Sequence, residues 1–372
     1  MDYKLISADS HILEPPDLWT SRMPAKYKDR AAHMVSLEKG DAWVVEGAPE
    51  PFPFGLNQCG GLPPEEYKPW VRWEEVRPGA HSAASRIAEM DEGKVDAEVM
   101  YPTPRVSTYI FTNVEEPEFH IAQIRAYNDW LSEFCSYNTD RLRGVAMLPN
   151  VGVDAALEEM DRALALPGLD SVLFGQYPHG GTRISAEDDR LWAAAVERDT
   201  PVNIHVGLVE TASGPPSVAN SFVGAFTGAF RFFDAPVRIG EFIYTKAFDR
   251  FPKLKLVLAE VDMGWVGYFA EQIDDRYRRQ NPVDKVKFDL KPSEYIERNT
   301  YFVIVIDKFG IKNRDATGAS QIMWSNDFPH ATCEWPHDWE AIEDHFVGVP
   351  KQERQAMLAD TAARLYKFTN GA

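Results

Sequence analysis

A (β/α)8 barrel with a small hairpin inserted after the first strand is the fold this sequence predicts, and two observations predict it. Eight apolar, β-rich runs recur along the 372 residues, and amphipathic segments of helical spacing lie between most of them. Near-continuous Val, Ile, Leu and Met runs suit strands buried on both faces, as in a parallel sheet. Eight such strands alternating with helices close into a barrel rather than an open sheet.

In chain order the runs are KLISAD (4–9), AEVMYPT (97–103), RGVAMLP (143–149) and DSVLFGQYP (170–178). They continue with PVNIHVG (201–207), KLKLVLAEVD (253–262), TYFVIVID (300–307) and QIMWSNDFPH (321–330). The helical segments include residues 116–138, 154–166 and 185–199, each with apolar side chains three and four residues apart. SAED and DAALEE add cap signals and acidic first turns. Two stretches exceed a minimal barrel. Residues of about 30–80, rich in Pro, Gly and aromatics, read as an insertion with a hairpin near DAWVVEGAPE, packed over one end of the barrel. Residues of about 208–250 form a longer connection, helical in its second half, whose apolar surface suits barrel packing or a subunit interface. The whole of 1–372 reads as a single barrel domain.

A hydrophobic content of 44% supports a sizeable core, and a formal charge of −18 provides no general attraction to nucleic acid or anionic lipid. No apolar run is long enough to span a bilayer, and the first residues show no basic leader followed by an apolar stretch. Cys59, Cys135 and Cys333 are scattered without metal-type spacing. A cytoplasmic protein acting on a small molecule is the expectation.

Barrel enzymes carry their chemistry at the C-terminal ends of the strands. The first run, LISADSHILEPPDLW (5–19), ends in Asp9, His11 and Glu14; the fifth ends in His205, the sixth in Glu260 and Asp262, the eighth in Asp327 and His330. A lone strand histidine is more often a hydrogen-bonded core residue than a ligand. Glu14 in EPP also reads as the start of a turn, and Asp327 as a cap before Pro329. Four strand ends bearing ligand-type residues at one mouth are much harder to assign to coincidence. Carboxylates and imidazoles in that mixture suit a first-row divalent ion, which acidifies water or polarises a carbonyl oxygen. Asp9, His11, Glu14, His205, Glu260 and Asp327 are therefore the candidate metal ligands, with His330 beside them at the same mouth. Arg105 in YPTPR, His179 in YPHGG, and Trp265 and Phe328 beside candidate ligands are the candidate substrate contacts.

The chain resembles the amidohydrolase superfamily, in the branch that includes aminocarboxymuconate semialdehyde decarboxylase and the resorcylate-type decarboxylases. The likeness rests on ADSHILEPPDLW, RIAEMDEGKVDAEVMYPT (86–103), AYNDWLSEFCSYNTDRLRGVAMLP (126–149), FPKLKLVLAEVDMGWVGYF (251–269), IMWSNDFPH (322–330) and MLADTAARLYKF (357–368), in that order. It implies that Asp9 and His11 stand at the first-strand ligand pair, His205 at the fifth-strand ligand and Asp327 at the eighth-strand aspartate. Two departures stand out: the first pair is Asp-x-His rather than His-x-His, which admits Mn or Fe beside Zn. The sixth-strand position that holds an acid–base histidine in many relatives is Glu260, and the resemblance thus makes Glu260, Asp327 and His330 the candidate acid–base groups. The expected activity is a metal-dependent hydrolase or non-oxidative decarboxylase of a small carboxylated or aromatic molecule. The surplus of donors also admits two ions per chain, and with them a dinuclear Fe–Fe or Mn–Fe oxygenase that activates O2. A non-catalytic subunit partnering a catalytic paralogue is the third reading. A homo-oligomer, or a hetero-oligomer with such a paralogue, is the expected assembly.

Overall fold

The computed structural model describes residues 3–207, 229 and 232–368. Its strands are β1 (Ile6–His11), β2 (His33–Leu37), β3 (Gly40–Val44), β4 (Ala97–Tyr101), β5 (Leu142–Met147), β6 (Leu169–Leu173), β7 (Val202–His205), β8 (Leu256–Ala259), β9 (Thr300–Ile304) and β10 (Ile322–Trp324). Eight of them form one parallel sheet in the order β1-β4-β5-β6-β7-β8-β9-β10, a nearly closed barrel. Strands β2 and β3 make an antiparallel hairpin directly after β1, with DAWV in its second strand.

The helices are α1 (Leu18–Arg22), α2 (Ala83–Gly93), α3 (Pro104–Thr112), α4 (Pro117–Cys135), α5 (Val153–Leu164) and α6 (Asp189–Glu197). After the stretch outside the described residues come α7 (Ala235–Tyr244), α8 (Ala247–Arg250), α9 (Val266–Asp284) and α10 (Pro292–Asn299). The helical second half of the 208–250 connection thus includes α7 and α8, while 208–228 and 230–231 lie outside the described residues. Helix α2 shows the local logic. Ser82 caps it by accepting the Ser85 N–H, Arg86, Met90 and Gly93 form its buried face, and it ends where Lys94 turns left-handed.

Every residue of β4, β7, β8 and β10 is buried, and β8 (LVLA) and β10 (IMW) read as uninterrupted apolar runs, while β4 carries the buried Glu98 and β7 the buried Asn203 and His205, each with a partner. Each enclosed Leu, Val or Ile, such as Val172, Leu173 or Leu258, contributes about 1.5–3 kcal/mol over its exposed state. The sixth and eighth runs are shorter as strands than as sequence patterns. Regular pairing stops at Ala259 and Trp324, and Glu260, Asp262 and Asp327 then adopt φ of 58°, 51° and 58°. That left-handed backbone turns the chain out of the sheet; Gly adopts it freely, Asn and Asp less readily, and it is least favourable for Glu260. Two candidate ligands therefore sit on strained hinges between strand and loop.

The insertion lies over the same end of the barrel. Leu13 N–H bonds to Ala80 O at 2.8 Å, Gly60 N–H to Pro329 O at 2.7 Å, and Ala331 N–H to Leu56 O at 3.0 Å. Beneath the mouth, Tyr101 and Tyr366 both donate to Asn203 Oδ1, at 2.7 and 2.8 Å, so the closing segment of the chain plugs the barrel with satisfied polar groups.

Candidate metal centre

Strands β1, β7, β8 and β10 deliver their terminal side chains to one point. His11 Nε2 and His205 Nε2 face one another at 3.1 Å. Asp9 bridges them, its Oδ1 lying 3.5 Å from His11 Nε2 and its Oδ2 3.4 Å from His205 Nε2. Asp327 Oδ1 is 3.3 Å from His11 Nε2 and 3.0 Å from His330 Nδ1, and Glu260 Oε2 is 3.7 Å from His205 Nε2. The donors fall into two overlapping sets, Asp9–His11–His205–Glu260 and His11–Glu260–Asp327–His330, each with its ligand atoms within 4.8 Å of one another.

The surroundings fix the tautomers. His11 Nδ1 donates to Pro102 O at 3.0 Å and His205 Nδ1 to Val206 O at 2.7 Å. Both Nε2 lone pairs therefore point into the cluster, as a metal-binding imidazole requires. Asp9, His11, His205 and Asp327 have no solvent-exposed surface. Among the described residues, neither oxygen of Asp9 and not Oδ1 of Asp327 accepts a hydrogen bond. Buried carboxylates are costly without a compensating charge, and two facing lone pairs repel. A divalent cation answers both, so the residues present fit one. Asp327 is further held by the Thr332 hydroxyl, which donates to Oδ2.

Without an ion the imidazoles share the compensating charge unequally, and a bound cation would take the place of the His205 proton. Burial and the neighbouring His330 push His11 down to about 4. At His205 burial is outweighed by Asp9 and Glu260, which hold it up at about 9. Burial pushes the Asp327 carboxyl up, but His330 and His11 prevail and keep it well below the ordinary range. The His330 ring stacks on that of His11, 4.0 Å between centroids and 16° between planes.

Not every expected residue is brought to the cluster. Glu14 is buried and stays outside both donor sets. Its Oε1 accepts the Thr103 N–H at 3.1 Å, and burial raises its carboxyl to about 7. The strand has already ended at His11, and Glu14 turns to the start of α3 and away from the donor cluster. Phe328 is enclosed between Arg86, 4.4 Å from its ring centroid, and Trp335, so it supports the loop and does not wall an opening. Trp265 packs on Phe269 and Phe302 and donates to Val261 O. His179 is tied by Nδ1 and its backbone N–H to the buried Asp188. Asp262 accepts the Val305 N–H and braces β8 against β9.

Arg105, in the first turn of α3, differs from these. Its guanidinium lies 5.7 Å from the Phe52 ring of the insertion, is partly open to solvent, and makes no ion pair among the described residues. Surrounding protein depresses its pKa below the ordinary arginine range, as desolvation without a counter-charge must. Sequence reasoning missed Thr332, because a threonine five residues beyond Asp327 carries no motif signal.

Fold and donor set together define a parallel barrel with a candidate cation site at its C-terminal mouth. The chain belongs to the Amidohydrolase family, whose model matches residues 31–368. It is 24% identical over 332 residues to the gamma-resorcylate decarboxylase of Rhodococcus jostii (strain RHA1), covering 85% of this chain and 96% of that one. Among solved structures it is similar to an amidohydrolase of Mycobacterium avium subsp. paratuberculosis K-10, with a TM-score of 0.76 at 22% identity, over 98% and 100% of the two chains. It is also similar to a dihydroxybenzoic acid decarboxylase of Polaromonas sp. JS666 with bound manganese and the inhibitor 2-nitroresorcinol, with a TM-score of 0.64 at 18% identity, over 98% and 97%.

Proposed function

We propose that this chain is a metal-dependent, non-oxidative decarboxylase of small aromatic carboxylates. The observation that carries the reading is the convergence of Asp9, His11, His205 and Asp327, sealed from solvent, in a family member whose relatives include decarboxylases of hydroxylated benzoates. Hydrolysis on the same fold is the less favoured form, since the relatives with a named reaction are carboxy-lyases.

In the reaction a ring carbon gains a proton and its bond to the carboxyl carbon breaks, so that ArCO2⁻ and H⁺ become ArH and CO2. Asp9, His11, His205 and Asp327 would hold a divalent ion, as manganese is bound in the Polaromonas relative, and the ion would supply a fixed positive charge for an anionic substrate. The chain's own groups do the rest. Arg105 orients the anionic end of the substrate by charge-assisted hydrogen bonds. Glu260, 14% exposed where Asp9, His11, His205 and Asp327 are sealed, exchanges protons with solvent and hands one to the ring carbon. Asp327 fixes His330 by its Nδ1, and His330 in turn keeps the His11 ring in place by stacking. A second reading, the dinuclear oxygenase, draws on the two overlapping donor sets that share His11 and Glu260. It requires two ions per chain and O2 uptake.

The test is turnover. Manganese-loaded protein given 2,6-dihydroxybenzoate, 5-carboxyvanillate and related hydroxybenzoates is expected to release one CO2 per ring without O2 consumption, and to stop on chelation. Failure of the loaded protein to decarboxylate any of them refutes the reading, and O2 uptake with substrate favours the oxygenase.

A further inference from the structure

One junction of the barrel lacks regular strand pairing among the described residues. No ladder joins β10 to β1; two backbone bonds cross instead, His11 N–H to Phe328 O at 2.7 Å and Asp327 N–H to Asp9 O at 3.1 Å. The candidate donors stand on both banks of this seam, Asp9 and His11 on one, Asp327 and His330 on the other. Their spacing is therefore set by a join that regular strand pairing does not control.

Arg86 of α2 lies against that join with no exposed surface. Its Nε donates to Glu98 of β4 at 2.5 Å. Its Nη1 donates to His11 O at 3.0 Å and Gly79 O at 3.2 Å, and its Nη2 to Phe328 O at 3.2 Å. The plane of the group also lies over the Phe328 ring. The two seam carbonyls it holds belong to a proposed ligand, His11, and to the residue directly after another, Asp327. An arginine that merely neutralised Glu98 would have no need of either.

We infer that Arg86 is a positioning residue for the metal centre, a clasp that holds β1 and the β10 loop at the separation their donors need. The inference rests on the metal reading above. The planar fork, with donors pointing in fixed and divergent directions, is what lets one side chain serve three backbone segments and a carboxylate. A lysine keeps the charge and the pairing with Glu98 but cannot span them. Groups that orient ligands from behind characteristically govern affinity for the ion.

The experiment compares wild type with Arg86→Lys, Glu98→Gln and Leu169→Ala, the last a core truncation at the opposite end of the barrel. Mn²⁺ affinity is read by electron paramagnetic resonance of the free ion, beside the melting temperature of each metal-free chain. Arg86→Lys is expected to lose about 10- to 100-fold in Mn²⁺ affinity, while Leu169→Ala and Glu98→Gln stay within about threefold of wild type at comparable loss of melting temperature. Wild-type affinity in Arg86→Lys overturns the clasp, as do equal losses in all three variants. Should Arg86→Lys fail to fold, Arg86→Gln takes its place under the same two outcomes, a loss of about tenfold or more with Leu169→Ala unchanged supporting the clasp and wild-type affinity overturning it. A wild-type chain that binds no Mn²⁺ overturns the metal reading and the clasp with it, so the wild-type titration separates the two failures.

Discussion

His120 makes the acid stability of this fold predictable from one side chain. It sits on α4 with no exposed surface, donating from Nδ1 to Ile110 O at 3.0 Å and accepting the Asn150 N–H on Nε2 at 3.2 Å. Burial drives its pKa down to about 4, against the partial opposition of these bonds. Protonating Nε2 sets one N–H against another and strands a charge in the core. The folded pKa is lowered below that of the unfolded chain, so the contribution is complete above about 6.5 and is lost as pH falls toward 4. Each unit of pH in that window is worth about 1.4 kcal/mol. The perturbation is His120→Gln, which cannot reproduce both bonds, and the assay is urea unfolding at pH 7.5 and pH 5. The variant should be less stable at pH 7.5, and the gap should narrow at pH 5 by about 2 kcal/mol, that is about 1.5 units at about 1.4 kcal/mol each. Other titrating groups cancel in the comparison. A gap of equal size at both pH values would refute the assignment of a neutral, doubly bonded His120.

Three other outcomes follow from the site and its supports. Glu260→Gln should lower kcat by about 100-fold or more while the bound metal stays constant, as expected for a lost proton donor; loss of the ion in elemental analysis would make Glu260 a ligand instead. Arg105→Met should lower kcat/KM by about 10- to 100-fold, mainly through KM, the worth of a charge-assisted contact, and an unchanged KM would remove Arg105 from the substrate site. Asp338, buried beside Glu98 and Glu334, has its carboxyl raised by burial to about 7, so its ionised form destabilises the fold increasingly from about pH 4 to 7. Asp338→Asn should therefore raise the melting temperature more at pH 8 than at pH 5, and an equal or opposite shift would contradict that.

The barrel was legible because burial on both faces leaves so clear a mark. Strands such as VNIH and LVLA cannot easily be read otherwise, and their order dictates which strand ends share a mouth. That order brings Asp9, His11, His205, Glu260, Asp327 and His330 to one mouth, where the structure sets their polar atoms close together. Where strands stopped was less legible. Glu260 and Asp327 turn left-handed without the Gly or Asn that announces such a turn, so both runs were read several residues too long. Glu14 lies three residues past a strand end, where the direction of a side chain depends on the loop, and it falls outside both donor sets. Phe328 and Trp265 flank site residues in sequence but pack away from them, as neighbours on a turning backbone do. Arg86 had a signal that passed unused: it occupies the buried stripe of α2 with Met90 and Gly93, a position where a charge must have a partner.

The central claim is that these strand ends hold a divalent ion, and metal content per chain tests it most directly. Wild type and His205→Ala would be produced with manganese, iron and zinc supplied, and their bound metal measured by elemental analysis. The account predicts at least one ion per wild-type chain and its loss in the variant, with the fold retained by circular dichroism. A wild-type chain without metal, or a variant that keeps its full complement, would contradict it.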